Sequence, residues 1–352
     1  MQREKSTMKV GLVGFAGSGK STVFEWLTGE KPNPAALQRG QLGSAVIPDE
    51  RLDWLAAHFK PKKTTPARLE FVDTPGLHPT ERKDNPRRLG ILREADGLLV
   101  VLAGFGGGEP AQELRNFRDE LIFADLEIIA GRIERLEAQL KKPRPSKDRE
   151  ADQRELELLH RIAAALEAGQ STATLGLTEE QEKSVRSFQL LTLKPEMVLV
   201  NVAEDRLGQP LPAELLALAP TALQAPAKLE LELADLPEAD RAIFMQELGL
   251  GGFSREETLR KIFYGMGRIV FFTVGEDECR AWPIHAGDTA VEGAAQIHTD
   301  LAEGFVRAEI VPFAEFKKVG SLKEAKARGV YRLEGKTYRV QDGDIMHILA
   351  NK

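Results

Sequence analysis

Through the first hundred residues, short apolar runs alternate with amphipathic stretches: MKVGLVG at 8–14, STVFEWL at 21–27, ARLEFVDTPG at 67–76 and GLLVVLAGF at 97–105. Runs of this length read as buried strands and the stretches between them as helices, so the pattern predicts an open α/β domain with a mostly parallel sheet. Near Pro110 the period changes. Leu126, Ile129, Ile133, Leu136 and Leu140 fall 3, 4, 3 and 4 residues apart, and Leu156, Leu159, Ala163 and Leu166 take up the same spacing. Between the two stripes, Pro143 and Pro145 in KKPRPSKDRE cannot continue a helix. The economical reading is an antiparallel helical hairpin, partly coiled-coil, inserted into the α/β domain. The strand pattern resumes with PEMVLVNVAED, a Pro- and Leu-rich stretch follows over 210–237, and a helix is expected over 238–250, stopped by Gly251-Gly252. From 269 to 349, β-rich runs (IVFFTV, RAWPI, FVRAEIV, YRV, IMHIL) separated by Gly-Asp and Glu-Gly turns predict a small mixed α/β tail. The expected divisions are therefore a core of residues 1–110 and 195–266, an insertion at 111–194 and a tail at 267–352.

Composition narrows the class. With 352 residues, 42% hydrophobic and 29% charged, the chain is ordinary for a globular protein of two or three domains. The opening MQREKSTMKV is too polar for a secretory signal, and no apolar run approaches the roughly 18 residues of a spanning helix, so a cytoplasmic protein without membrane contact is expected. The single cysteine, Cys279, excludes an internal disulfide and a thiolate zinc site, and reads as a small buried residue. A net charge of −6 argues against a surface built for DNA or for nucleic acid as a whole. Three local basic clusters, at 60–63, 82–88 and 141–147, are ordinarily solvated faces.

The candidate chemistry sits behind the first strand, where residues 14–21 read GFAGSGKS, the phosphate-loop pattern. Glycines let the backbone curl its N–H groups around phosphate oxygens, and a helix starting near Gly19 adds its positive end. The expected triphosphate seat is Gly14, Phe15, Ala16, Gly17, Ser18, Gly19, Lys20, Ser21 and Thr22, with Lys20 bridging the β- and γ-phosphates and Ser21 placing its hydroxyl on Mg²⁺. The alternative is a plain Gly-rich turn, which the strand before and helix after disfavour. Asp73-Thr74-Pro75-Gly76 closes the strand LEFV, where such proteins bring a carboxylate to the Mg²⁺ shell and a glycine N–H to the γ-phosphate. Thr64 and Thr65 lie between these motifs, where a switch-loop hydroxyl joins the metal; either also reads as a plain loop threonine. The third element, Asn201-Val202-Ala203-Glu204, ends a late strand where guanine-specific proteins carry Asn-Lys-x-Asp. Glu204 is one methylene longer than aspartate and Val202 removes the lysine. A clamp that no longer satisfies the guanine N1–H and 2-amino donors loses its preference, which leans the site toward adenine; a register bringing in Asp205 would weaken that reading.

On these residues the chain resembles the YchF (Obg-like ATPase) family. The resembling strings include PDERLDWLAAHFKPKKTTPARLEFVD, ELIFADLEII, LLTLKPEMVLVNVAED and DRAIFMQELGL, and then the tail FFTVGEDECRAWPIHAGDTAVEGAAQIHTDLAEGFVRAEIV with EGKTYRVQDGDIMHI. The resemblance implies an α/β phosphate-loop NTPase core, a helical insertion and a C-terminal TGS domain of β-grasp fold, with ATP preferred and an output at the ribosome or RNA. It also implies backbone contacts to the base from Ala227 and Lys228, in APAKLE where relatives read SAKxE. Leu77 fits the family's hydrophobic residue after the DxxG glycine, so no side-chain amide orients water there and intrinsic hydrolysis is expected to be slow. His78 is the nearest candidate for that task, although a loop histidine is more often solvated. The chain departs from the family at the phosphate loop, through Ala16 and Ser18. It departs at 74–90, where TPGLHPTERKDNPRRLG replaces a Gly-rich switch. The Gly-rich loop before the insertion, GFGGGEPAQE, lacks the family's histidine. His298-Thr299-Asp300 reads as a turn held by side-chain hydrogen bonds.

The function expected is an Mg²⁺-dependent, slowly hydrolysing ATP switch, in which Lys20, Asp73, Gly76 and His78 are the catalytic candidates. Ser21, Thr64 and Asp73 are the metal candidates, and Asn201, Val202, Glu204, Ala227 and Lys228 line the base. A GTPase ribosome factor and a nucleotide-gated RNA- or ribosome-binding module with negligible turnover remain as alternatives, and a monomer is compatible with the pattern.

Overall fold

The computed structural model describes residues 7–80, 82–143, 145–237, 240, 243–244 and 254–351. The chain divides into two compact units, Lys9–Gly43 with Phe71–Phe253, and Met1–Met8 with Ser44–Glu70 and Ser254–Lys352. In chain order the first elements are β1 (Met8–Val13), α1 (Lys20–Thr28), α2 (Pro34–Leu37), β2 (Gln41–Val46), α3 (Glu50–Phe59), β3 (Lys63–Thr65), β4 (Arg68–Asp73), α4 (Asn85–Leu92) and β5 (Gly97–Gly104). They continue with α5 (Pro110–Leu140), α6 (Ser146–Glu167), α7 (Glu179–Val185), β6 (Glu196–Val202), α8 (Ala213–Leu218), β7 (Leu223–Ala225) and α9 (Ala227–Ala234).

The first sheet has the order β2-β4-β1-β5-β6-β7. Its β1/β5, β5/β6 and β6/β7 pairs are parallel, as the continuous apolar runs require of strands covered on both faces. The register sets Ala103 beside Asn201 and Asn201 beside Ala225, so β5, β6 and β7 end together. Ligands of open parallel sheets bind at that carboxyl edge. Val13, Leu98, Val100, Val198 and Val200 build the core under it, and Ala111, Leu114, Phe117 and Leu121 of α5 cover it.

α5 then leaves the sheet. From Ile122 onward its Ile129 and Leu136 pack with Leu158, Leu159, Ile162 and Leu166 of α6, and Leu126, Ile133, Leu156 and Ala163 flank them half-buried. The hairpin is the one its stripes predicted, but its boundary, expected at residue 111, falls inside one continuous helix whose first turns belong to the sheet's core. A buried carboxylate fixes the junction. Asp125 accepts hydrogen bonds from Arg93 Nη1 at 2.8 Å, Leu191 N at 3.1 Å, and Thr192 N and Oγ1, both at 2.8 Å.

The second unit holds the helix Arg255–Gly265, then β8 (Arg268–Thr273), β9 (Glu278–His285), β10 (Phe305–Pro312), β11 (Arg332–Glu334) and β12 (Asp344–Ala350). Its mixed sheet runs β11-β10-β12-β8-β9-β3, with the helix Ala290–Ile297 setting Ala290 and Ala294 among Phe271, Ile310 and Met346. Residues 44–70, expected in the nucleotide core over 1–110, cluster with this unit, although the ends of this segment also belong to β2 and β4 of the first sheet. β3 pairs parallel with β9, placing Thr64 opposite Cys279, while Arg51 binds Asp342 at 2.6 Å and Trp54 meets Phe313 edge-on at 5.7 Å. Thr65 Oγ1 donates to Glu278, 213 residues later, a pairing that a three-residue polar strand does not announce in sequence. Cys279 is buried, as expected. His298 Nδ1 accepts the Asp300 N–H at 3.1 Å, the local turn expected of that sequence. The helix expected over 238–250 and its Gly251-Gly252 stop lie outside the described residues apart from Asp240, Ile243 and Phe244. Among the described residues no helix is long and apolar enough to cross a membrane.

Candidate functional site

β1 ends at Val13 and α1 starts at Lys20, so residues 14–19 form a loop at the sheet's carboxyl edge. Gly19 caps α1 at φ 83°, and a Cβ there would collide with Asn201 Nδ2, so both the left-handed turn and the close approach require glycine. No side chain caps this helix end, which leaves its first N–H groups to an anion.

Lys20, only 6% exposed, donates from Nζ to the Phe15 carbonyl at 2.9 Å. Burial lowers its pKa to about 8, against the opposing pull of the Asp73 and Glu113 carboxylates, and Arg88 lowers it further. Ser21 Oγ donates to Asp73 Oδ2 at 2.7 Å. Asp73 is fully buried, and among the described residues its Oδ1 meets no hydrogen-bond donor. Burial raises the Asp73 pKa, while Ser21, Lys20 and the Thr74 N–H act against that rise. A buried carboxylate oxygen without a donor, beside a hydroxyl, is an oxygen pair suited to Mg²⁺, which takes one or two protein ligands and fills its octahedron with phosphate and water. No cluster of three or more acidic, His or Cys side chains that could hold a metal exists among the described residues.

The turn after β4 closes on the phosphate loop. Thr74 Oγ1 donates to the Leu12 carbonyl at 3.1 Å, Ala16 N to the Leu77 carbonyl at 2.9 Å and Leu77 N to the Gly14 carbonyl at 3.0 Å. A Cβ at Gly76 would lie 2.6 Å from the Ala16 backbone and 2.8 Å from Lys20 Nζ, so only glycine permits the contact. Leu77 is 2% exposed and shares the core with Phe15. The backbone of His78 is held at both its N–H and its carbonyl by Asn85, each at 3.1 Å.

At the other side of the loop, buried Asn201 reaches the Ser18 carbonyl with Nδ2 at 3.5 Å, the limit of a hydrogen bond. Glu204 and Asp205 are both exposed in the turn Glu204–Arg206, whereas Val202 is buried in the core. Ala227 opens α9 buried, and the Lys228 side chain is exposed and pairs with Glu232 at 3.7 Å. Trp26 Nε1 donates to Glu230 Oε2 at 2.6 Å, holding α9 against α1. The structure thus gathers Gly14 to Thr22, Asp73, Gly76, Asn201 and Ala227 at one sheet edge. Thr64 lies in β3 of the second unit, paired with Cys279.

Three participants carry no motif. Glu113, on the first turn of α5, accepts from Ala103 N at 3.1 Å, and burial raises its pKa while Lys20 opposes the rise. Arg88 of α4 donates from Nη1 to the Gly76 carbonyl at 2.7 Å, and Asn85 braces the loop after Gly76. Each acts from a helix whose distance to the loop is set by tertiary packing, so no local pattern marks it.

A family model described as a 50S ribosome-binding GTPase matches residues 9–127, and the C-terminal model of YchF GTPases, described as a protein of unknown function (DUF933), matches residues 269–351. The Ribosome-binding ATPase YchF of Bacillus subtilis (strain 168) is 33% identical over 368 residues, covering 98% of this chain and 99% of that protein. Obg-like ATPase 1 of Oryza sativa subsp. japonica is 32% identical, covering 99% and 93%. The solved structure of the Schizosaccharomyces pombe YchF GTPase superposes with a TM-score of 0.82 at 26% identity over 98% of both chains. Similarity that runs from end to end at this level, on a chain whose phosphate loop and DxPG turn meet at one sheet edge, leaves one assignment: the chain belongs to the YchF family of phosphate-loop NTPases.

Proposed function

We propose that the chain is an Mg²⁺-dependent, slowly turning-over ATPase that works as a nucleotide-driven switch at the ribosome. The observation that carries this reading is the convergence of buried Lys20, the Ser21–Asp73 pair and the uncapped start of α1 on one loop. Lys20 rests on the Phe15 carbonyl, and a triphosphate offers its ammonium a stronger, charged acceptor. Ser21 Oγ and Asp73 Oδ1 would hold Mg²⁺ directly or through water, with Asp73 ionised by the cation. Bound there, the metal would neutralise phosphate charge and orient the terminal oxygens. Gly76 lies against Ala16 and Lys20, so a γ-phosphate seated at that contact has to move the turn, and loss of the phosphate lets it return. With Leu77 in the core, no side-chain amide at that position positions water, which supports slow intrinsic turnover. His78 is the sequence neighbour that could orient it.

Glu204 stands where guanine clamps place aspartate, which supports adenine. The descriptions of the matching core model and of the solved relative as GTPases favour GTP as the second reading. The relatives named ribosome-binding ATPases support the ribosome as partner, and a cytoplasmic place of action belongs to the same reading. Single-turnover hydrolysis of ATP with and without ribosomes, in Mg²⁺ and in chelator, tests the proposal. It predicts slow phosphate release that requires Mg²⁺ and rises with ribosomes. Absence of phosphate release under every condition would leave a binding module instead.

A further inference from the structure

The segment from 77 to 90 brings a cation to the phosphate seat. Arg88 lies on α4, twelve residues beyond Gly76, and its Nη1 donates to the Gly76 carbonyl at 2.7 Å. Lys20 also stands against Gly76, its Nζ 2.8 Å from where a Cβ built there would lie. Arg88 also contributes to lowering the Lys20 pKa, the sign of two cations in the same field. Among the described residues Arg88 enters no ion pair; its guanidinium rests on a neutral carbonyl. A half-buried guanidinium on a neutral acceptor is incompletely compensated, and a phosphoryl oxygen is the acceptor its planar fork fits best.

We propose that Arg88 is an arginine supplied in cis, whose guanidinium contacts the terminal phosphoryl group and neutralises the charge that moves through it during hydrolysis. The proposal rests on the ATPase reading above and adds a charge-neutralising residue, which does not supply the water-orienting group that Leu77 lacks. In hydrolysis the water oxygen bonds to the γ-phosphorus while the bond to the β–γ bridging oxygen breaks. The electron pair departs with the diphosphate, and the water protons end on inorganic phosphate and solvent. None of this requires a proton from Arg88, which stays charged throughout. Its part is electrostatic, and the hydrogen bond to the Gly76 carbonyl is its resting place beside the phosphate seat.

Arginines acting this way raise turnover by about 10³-fold or more, so Arg88→Ala and Arg88→Gln are expected to slow single-turnover hydrolysis on the order of 10³-fold. Arg88→Lys keeps the charge without the fork and is expected to fall between them and the parent. The second readout is binding. With ADP, Mg²⁺ and aluminium fluoride, the parent protein is expected to retain a fluoride-stabilised ADP complex, whereas the Ala and Gln variants bind ADP with unchanged affinity but fail to retain the fluoride. Thermal denaturation checks that each variant folds. Arg88→Gln behaving like the parent in both readouts would overturn the proposal, since a neutral brace on Gly76 would then suffice. Loss of ADP affinity in parallel with the fluoride complex would also overturn it, because Arg88 would then be structural. Failure of the unsubstituted protein to bind ATP or ADP would instead contradict the ATPase reading itself.

Discussion

Lys20 is the residue through which the site should respond to pH. Its ammonium, with a pKa lowered to about 8 by burial, is mostly charged at neutral pH, and a triphosphate bound as proposed would stabilise that charge. Below pH 8 the lysine is already protonated and ATP affinity should be nearly flat; above it, binding must draw in a proton, and affinity should fall by up to about tenfold per pH unit. Titration calorimetry across that range checks the sign, and affinity that rises with alkalinity would contradict the assignment. The same group acts in the opposite sense on stability. Because its pKa drops from 10.5 to about 8 on folding, the unfolded chain holds more protons between those values, so this group's contribution to stability rises with pH across that window. On the proposed reading, Glu204 faces the base at the other end of the ligand. Shortening it with Glu204→Asp should restore clamp length and shift the ATP/GTP affinity ratio toward GTP on the order of tenfold. Lys20, Ser21 and Asp73 were legible in the sequence because phosphate chemistry demands those types at fixed spacing. Arg88 and Glu113 were not, because a side chain arriving from a packed helix leaves no spacing to read.

Among the elements, α5 shows how far periodicity carries and where it stops. The stripes of Ile129 and Leu136 against Leu159 and Leu166 made the hairpin legible, yet period alone does not reveal that Leu114 and Phe117 of the same helix cover a sheet. Its junction depends on Asp125, whose side chain is fully buried against Arg93. Asp125→Ala would strand the Arg93 guanidinium and the amides of Leu191 and Thr192, and breaking such a pair costs about 3–5 kcal/mol. Urea denaturation of the variant should show a loss of that size, and a loss under about 1 kcal/mol would mean that water replaces the carboxylate. β3 teaches the complementary lesson. Thr64 was placed in a switch loop by its position between two motifs, but Lys63–Thr65 is an edge strand on β9, set by pairing with Glu278, Cys279 and Arg280 far along the chain. Non-local pairing of three polar residues has no signature in local sequence.

At the scale of the whole molecule, similarity covers both compact units rather than the phosphate loop alone. If the ribosome is its partner, co-sedimentation should depend on the nucleotide supplied, ATP and ADP giving different bound fractions, and identical fractions would separate docking from the phosphate site. The most direct test of the account is calorimetric competition of ATP against GTP in the presence of Mg²⁺. The Lys20, Ser21–Asp73 and Glu204 arrangement predicts Mg²⁺-dependent binding with ATP preferred by about tenfold or more. Undetectable ATP binding, or a tenfold preference for GTP, would contradict it.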